Sequence, residues 1–528
     1  MKQDIYYIKF LVPIYTSILT LATLIIYLYQ YTYNGNYIGD LGDTKAILAI
    51  MENFYQKFST KSFEFSNTPI LYPFKNVTFF TETMWLVSAI YSIVRFFNES
   101  AFVSLNQTFA VIILINFFVS FFICKKIQLS WESSCICSLI FSIGLPIVAQ
   151  DSHLHLFLRA PFILALYYLI QFINSYSQKH LFACIFFQFL IFFISIYLAV
   201  FSFLIFCVVI IIKRKSISKL KIILILKDKS TSGIFFKILI ISLCLVLLIY
   251  LFQFHLISKE LGFKRGYPSA SLISIGSFFT TLRSPFWQFD FLPKGDPLHE
   301  EQLYIGISMT IVWIYSYFKS SNSSRNENSY KLITNYSILI FFGIYGVSIY
   351  FFIYLIPGLD FINVVCRSFL LIMFPLGVYL GFFLDRHKNN LAVILKVVAI
   401  FLLCYEISFS SKKVSNIEVN QNEINKIFLS IGELNQESIY VFRNTFNNQK
   451  DIPYEANVTL LSAIYQFNTM NGFTSFIPRN FGKYETCKDV YDTLQFIYNK
   501  YDKSYIYEID NRNIIFIGFD QNCKKDNN

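Results

Sequence analysis

The sequence predicts a mainly α-helical, polytopic membrane protein of about eleven transmembrane helices, completed by a small extracytoplasmic α/β domain. Three observations carry this expectation. Hydrophobic residues fill 55% of the 528 positions and charged residues only 15%, with 61 Phe and 36 Tyr, more than a soluble core can use. The apolar residues gather into runs long enough to cross a hydrocarbon layer roughly 30 Å thick. Near Ser411 that pattern stops and the composition turns polar. In such a chain a net charge of +11 belongs to cytoplasmic loops, and no nucleic-acid partner is expected.

The first apolar run extends from about Phe10 to Tyr29, with no small-residue cleavage site behind it, so it reads as a retained first helix. A loop from about 31 to 105 follows. Within it, Lys45 to Phe58 and Glu82 to Phe97 have the spacing of amphipathic surface helices, although the second could be a short span. Further apolar runs lie at about 107–124, 133–150, 156–174, 180–195, 198–212, 234–254, 303–318, 333–355, 366–384 and 391–409. The pair 180–195 and 198–212 could also be one long span. Lys125, Lys126, Lys179, Lys213, Arg214, Lys215, Lys319, Arg325, Arg386 and Lys388 all fall on one side of this scheme, with Lys2 and Lys9. The positive-inside rule makes that side the cytoplasm and puts the C-terminus outside. High Ile, Phe, Lys, Asn and Tyr usage fits an AT-rich bacterial genome, so the expected location is a bacterial inner membrane.

The chain divides at about 410. Residues 411–528 read as the α/β domain, with strands at Ser438 to Phe442, Ser504 to Asp510 and Ile514 to Phe519, the last two paired through Asn511-Arg512, and a helix from Asp489 to Tyr501. No internal repeat is evident. Eight of the ten cysteines, Cys124 to Cys404, lie in or beside apolar runs and read as small apolar filler. Cys487 and Cys523 stand in the polar part and could form a disulfide outside the cytoplasm.

This topology sorts ionisable residues to the outer face. Asp40 and Asp43 follow the first helix, in Gly39-Asp40-Leu41-Gly42-Asp43-Thr44. Glu82, Asp151, His153, His155 and Arg159 come next, then Arg265, Arg283, Glu300, Glu301 and Tyr304, and finally Asp360 and Arg367. Each has a plainer reading. The aspartates could simply end a helix, Arg159 and Arg367 could snorkel, the glutamates could answer a helix dipole, and the histidines could be interfacial or ligate a metal. Together they could line one cavity. A carboxylate there can act as general base on a hydroxyl, and Arg, Lys or His can hold the phosphate of a leaving group. Such a set suits glycosyl transfer from a polyprenyl-phosphate sugar to a glycan or lipid acceptor among membrane lipids.

The chain resembles the C-type (GT-C) integral-membrane glycosyltransferases, and more closely the bacterial YfhO-like multi-spanning proteins. The resemblance is carried by Gly39-Asp40-Leu41-Gly42-Asp43, by Tyr72-Pro73 with Thr81-Glu82, and by Asp151-Ser152-His153-Leu154-His155. It continues in Glu301-Gln302-Leu303-Tyr304-Ile305-Gly306, in Val364-Val365-Cys366-Arg367-Ser368-Phe369, and in the tail segment 471–478. It implies that residues 1–410 form a GT-C-like unit, that Asp40 or Asp43 is the catalytic carboxylate, and that transfer is inverting. Some relatives use a divalent metal and others none. An O-antigen polymerase or ligase, using the 255–302 loop, and a polysaccharide or lipid transporter without catalysis are the alternatives.

Overall fold

A computed structural model describes residues 2–61, 67–217, 231–261, 271–291, 299–319, 323–344, 347–355, 362, 364–386, 390–444, 451–474, 481, 484–503, 506–507, 514–519 and 523. Every apolar run named above contains a helix. In order these are α1 (Lys2–Thr32), then, after β1 (Asn36–Ile38) and the loop helices α2 (Asp43–Ser59) and α3 (Trp85–Phe96), α4 (Ala101–Lys126), α5 (Trp131–Ile143), α6 (Leu145–Val148), α7 (Ala160–Ser175), α8 (Gln178–Phe192) and α9 (Ile196–Ile212). They continue as α10 (Thr231–Leu261), α11 (Ile307–Phe318), α12 (Arg325–Phe341), α13 (Tyr350–Tyr354), α14 (Phe369–Arg386) and α15 (Asn390–Ser408). Among the described residues five segments are long and apolar enough to cross a membrane: Leu11–Gly35, Ala101–Lys126, Trp131–Val148, Leu154–Ser175 and Val365–Arg386.

Both loop helices form where amphipathic spacing puts them. At 1.5 Å per residue α3 is about 18 Å long, too short for a span. The run from 180 to 212 is two helices. Its break at 193–195 is stitched to the first loop, with Met84 N donating to Ile194 O (3.2 Å), Leu86 N to Phe193 O (3.0 Å) and Ile196 N to the Glu82 carboxylate (3.1 Å). Backbone polar groups freed at a helix break must find protein partners in an apolar setting, and this loop supplies them. The expected run 333–355 is also interrupted. α12 begins earlier, at Arg325, and ends at Phe341, where Gly343 N donates to Ile273 O (2.8 Å). A Cβ on Gly343 would meet the Leu272 side chain at 2.6 Å, so glycine admits the crossing segment.

After α15 come β2 (Val414–Asn416), α16 (Ile417–Ile431), β3 (Ile439–Phe442), α17 (Asp451–Tyr465), β4 (Asn468–Thr469), α18 (Cys487–Lys500) and β5 (Ile514–Ile517). β2 pairs antiparallel with β1, Tyr37 opposite Ser415. β3 is the centre of a parallel sheet in the order β4-β3-β5. The expected hairpin turn at Asn511-Arg512 lies outside the described residues. The described partner of β5 is β3, reached in parallel as a strand-helix-strand crossover allows, and Ile506 instead bridges Phe74 of the first loop. Cys487 and Cys523 are joined as a disulfide, Cα atoms 5.6 Å apart.

The tail and the first loop are interleaved. Leu71 N and Tyr72 N donate to Asn471 O and Thr469 O, Thr469 N donates to Pro69 O, and Tyr507 N donates to Pro73 O. α17 packs on α2, where the fully buried Lys45 donates to Asn457 Oδ1 (2.6 Å).

Candidate functional site

The loop after α1 is shaped by Gly39. Its φ is +91°, and a Cβ there would lie 2.0 Å from Thr44 Oγ1 and 3.0 Å from Asp151 O. Only glycine tolerates both the conformation and the approach, so this residue brings the 40–44 turn against the 151–155 segment. Asp40 then closes the turn. Its Oδ1 accepts from Gly42 N (3.2 Å) and Thr44 N (3.1 Å), and Lys413 Nζ donates to Oδ2 (3.0 Å). Burial raises the Asp40 carboxyl, but Lys413 and the turn's donors outweigh it and hold the pKa below the usual range.

Asp43, one turn on, faces a different way. It opens α2 and lines a cavity of about 260 Å³ together with Glu82, His153, His155, Glu300 and Arg367. Apolar side chains of α2 and α9 (Ile47, Ile50 and Ile196), with Tyr197, complete the wall, and Phe473 and Thr474 of the tail close it. Burial at the cleft, then the neighbouring Asp40, push the Asp43 pKa up to about 6. Its side chain keeps 48% exposure, so it is reachable from the cavity. His153 Nε2 lies 3.7 Å from Asp43 Oδ2. Burial and Arg367 depress the His153 pKa to about 4, so at neutral pH this contact joins a neutral imidazole to a carboxylate and is not an ion pair.

Arg367 donates to Glu300 Oε1 (2.7 Å) and stacks over Tyr197, its guanidinium 5.3 Å from the ring centroid. Among the described residues its Nε has no hydrogen-bond partner, and neither ring nitrogen of His155, which is 3% exposed, has one. An unsatisfied buried donor or acceptor costs about 1–3 kcal/mol. Both residues line the same cavity as Asp43.

The other described candidates are not among the residues that line this cavity. Asp151 accepts from Lys413 N (2.7 Å) and sits 3.5 Å from Arg283; burial, opposed by these cations, pushes its pKa up to about 6. Arg283 faces a separate recess with Lys412 and Lys413. Arg159 is 1% exposed and spends its guanidinium on the carbonyls of Phe141 (2.6 Å) and Leu370 (3.0 Å), so it fastens α5 and α14 and does not reach the cavity. The Tyr304 ring stacks on Trp287, centroids 6.2 Å apart. Glu301 is buried, its pKa pushed up to about 7 by burial and then by Glu300 and Asp290, and its neighbour Glu300 is the one that meets Arg367. Arg265 and Asp360 lie outside the described residues. Among the described residues no three His, Cys, Asp or Glu side chains form a group able to hold a metal ion.

Sequence reasoning passed over Tyr197, Phe473, Thr474 and Lys413. Phe473 and Thr474 lie inside the tail segment that carries the resemblance, which was the available signal. Lys413 gave none, because a lysine after the last apolar run looks like any solvated charge. No protein-family model matches the chain, and no curated protein sequence matches it.

Proposed function

We propose that this protein is a membrane glycosyltransferase of the GT-C type. It would lie in a bacterial inner membrane with about eleven spans, and act at the outer face on a polyprenyl-phosphate sugar donor and a glycan or lipid acceptor. The observation that carries the proposal is the cavity itself. It joins an accessible carboxylate of raised pKa to a buried arginine and a buried histidine whose nitrogens are unpartnered among the described residues, beside apolar helices through which a lipid-linked donor would arrive.

The chemistry follows from these groups. Asp43 remains ionised at neutral pH yet is a stronger base than an ordinary carboxylate. It takes the proton of the acceptor hydroxyl. The hydroxyl oxygen bonds to the anomeric carbon from the face opposite the phosphate, while the bond from that carbon to the phosphate oxygen breaks. Polyprenyl phosphate leaves with the electron pair, and Arg367 with His155 receives its charge. Asp40 keeps the turn in place and takes no part in proton transfer.

The test compares Asp43→Asn with Asp40→Asn in cells, at matched membrane levels, by mass spectrometry of lipid-linked and envelope glycans. Asp43→Asn is expected to remove one sugar type, and wild-type transfer to rise with pH through about 6, as Asp43 loses its proton. Asp40→Asn is expected to keep most activity. Full activity in Asp43→Asn would overturn the assignment, and shortened chains in place of a missing sugar would favour the polymerase reading.

A further inference from the structure

α4, α7 and α9 each begin near the cavity of Asp43. Asn106 of α4 accepts from Ile38 N beside the 40–44 turn, α7 follows directly on His155 and Arg159, and Ile196 of α9 lines the cavity. They run for 26, 16 and 17 residues, about 24–39 Å at 1.5 Å per residue. Their C-terminal ends meet again around a second cavity of about 360 Å³, which α12 closes with its N-terminal half. That cavity therefore sits at the opposite end of the helices from the first.

Its lining is basic. Lys126 comes from the end of α4, Lys213 follows α9, and Arg325 opens α12, with Gln128, Asn174 and Ser329 as neutral hydrogen-bonding groups. Among the described lining residues none is acidic. Glu327, the nearest acid on α12, is buried and turned to Arg386 (3.2 Å). Lys213 Nζ donates to Ser329 (3.0 Å), and burial, then the like charge of Arg325, lowers its pKa. Helix C-termini carry about half a negative charge each, so three of them offset only about half of three cations, and α12 adds its positive end. A basic recess between the ends of apolar helices has the chemistry that captures lipid phosphate.

We propose that this cavity binds the phosphodiester headgroup of an anionic membrane lipid, drawn from the leaflet opposite the cavity of Asp43. Lys213 and Arg325 hold the phosphate, Lys126 borders it, and the amides meet the headgroup's hydroxyls. This site is independent of the reading given to Asp43.

The test uses the purified full-length protein in a neutral detergent and follows thermal unfolding after adding phosphatidylglycerol, phosphatidylcholine or inorganic phosphate. Phosphatidylglycerol is expected to raise the midpoint, and the other two to leave it unchanged. The double variant Lys213→Gln/Arg325→Gln is expected to lose at least half of that shift, and the neighbouring exposed Lys215→Gln to keep it. Because the double variant could fold poorly, native mass spectrometry of wild type and Lys126→Gln counts retained phosphatidylglycerol, with reduced retention expected in the variant. An equal shift from phosphatidylcholine, reproduction of the shift by inorganic phosphate, or full shift and retention in the variants would each overturn the proposal.

Discussion

Asp40 and Asp43 are three residues apart and have opposite surroundings. One carboxylate is consumed by two backbone donors and Lys413, and the other looks into a cavity. In sequence they look equivalent, because each follows a glycine and neither has a basic residue placed to mark it as the bound one. Only the distant Lys413 separates them. His155 presents a similar contrast. A histidine with both nitrogens buried, and unpartnered among the described residues, reduces the stability of the fold. His155→Leu is therefore expected to raise the unfolding midpoint, by an amount matching about 1 kcal/mol, while abolishing transfer. Thermal unfolding and glycan analysis on the same preparation check both halves. A fall in stability would mean that the imidazole is held by the protein itself.

At the scale of elements, the apolar runs and the amphipathic spacing of α2 and α3 could be read directly, since burial in lipid or against a core imposes a local pattern on the chain. Breaks were harder to read. α8 and α9 separate because residues 82–86 receive their loose ends, and α12 stops where Gly343 lets the 271–275 segment cross. Both causes lie far away in sequence. The start of α2 depends on Gly39 in the same manner. Gly39→Ala would bring Cβ into Thr44 and Asp151 at a φ of +91°, and is expected to cost more than about 1 kcal/mol and to displace Asp43. Loss of transfer together with a lowered midpoint is the expected result. Wild-type behaviour would show that the turn can relax elsewhere.

For the whole molecule, the first loop and the tail fold as one unit. β1 pairs with β2, loop 69–74 exchanges backbone hydrogen bonds with 469–471 and 507, and Lys45 of α2 is buried against Asn457 of α17, which in turn donates to Glu423. Burial, opposed by Glu423 and Asp40, lowers the Lys45 pKa to about 8. The unfolded chain, with lysine near 10.4, then binds more protons than the folded one between about pH 8 and 10, so stability rises with pH across that window. Lys45→Met is expected to flatten this rise. Asn457→Ala, which strands a buried cation, is expected to cost about 3 kcal/mol. Unfolding midpoints measured from pH 7 to 10 check both. An unchanged pH slope in Lys45→Met would place the titrating group elsewhere.

The amino-acid order alone determined that this chain is helical, where its apolar helices lie, which loops carry charge, and that two cysteines stand ready to pair. These properties depend on neighbours a few residues away, or on the solvent each segment must match. Which carboxylate faces a cavity, which arginine is spent on carbonyls, and that the tail seals the site were decided by tertiary structure. Each depends on a partner hundreds of residues distant, and hydropathy and spacing hold no record of which distant side chains will meet.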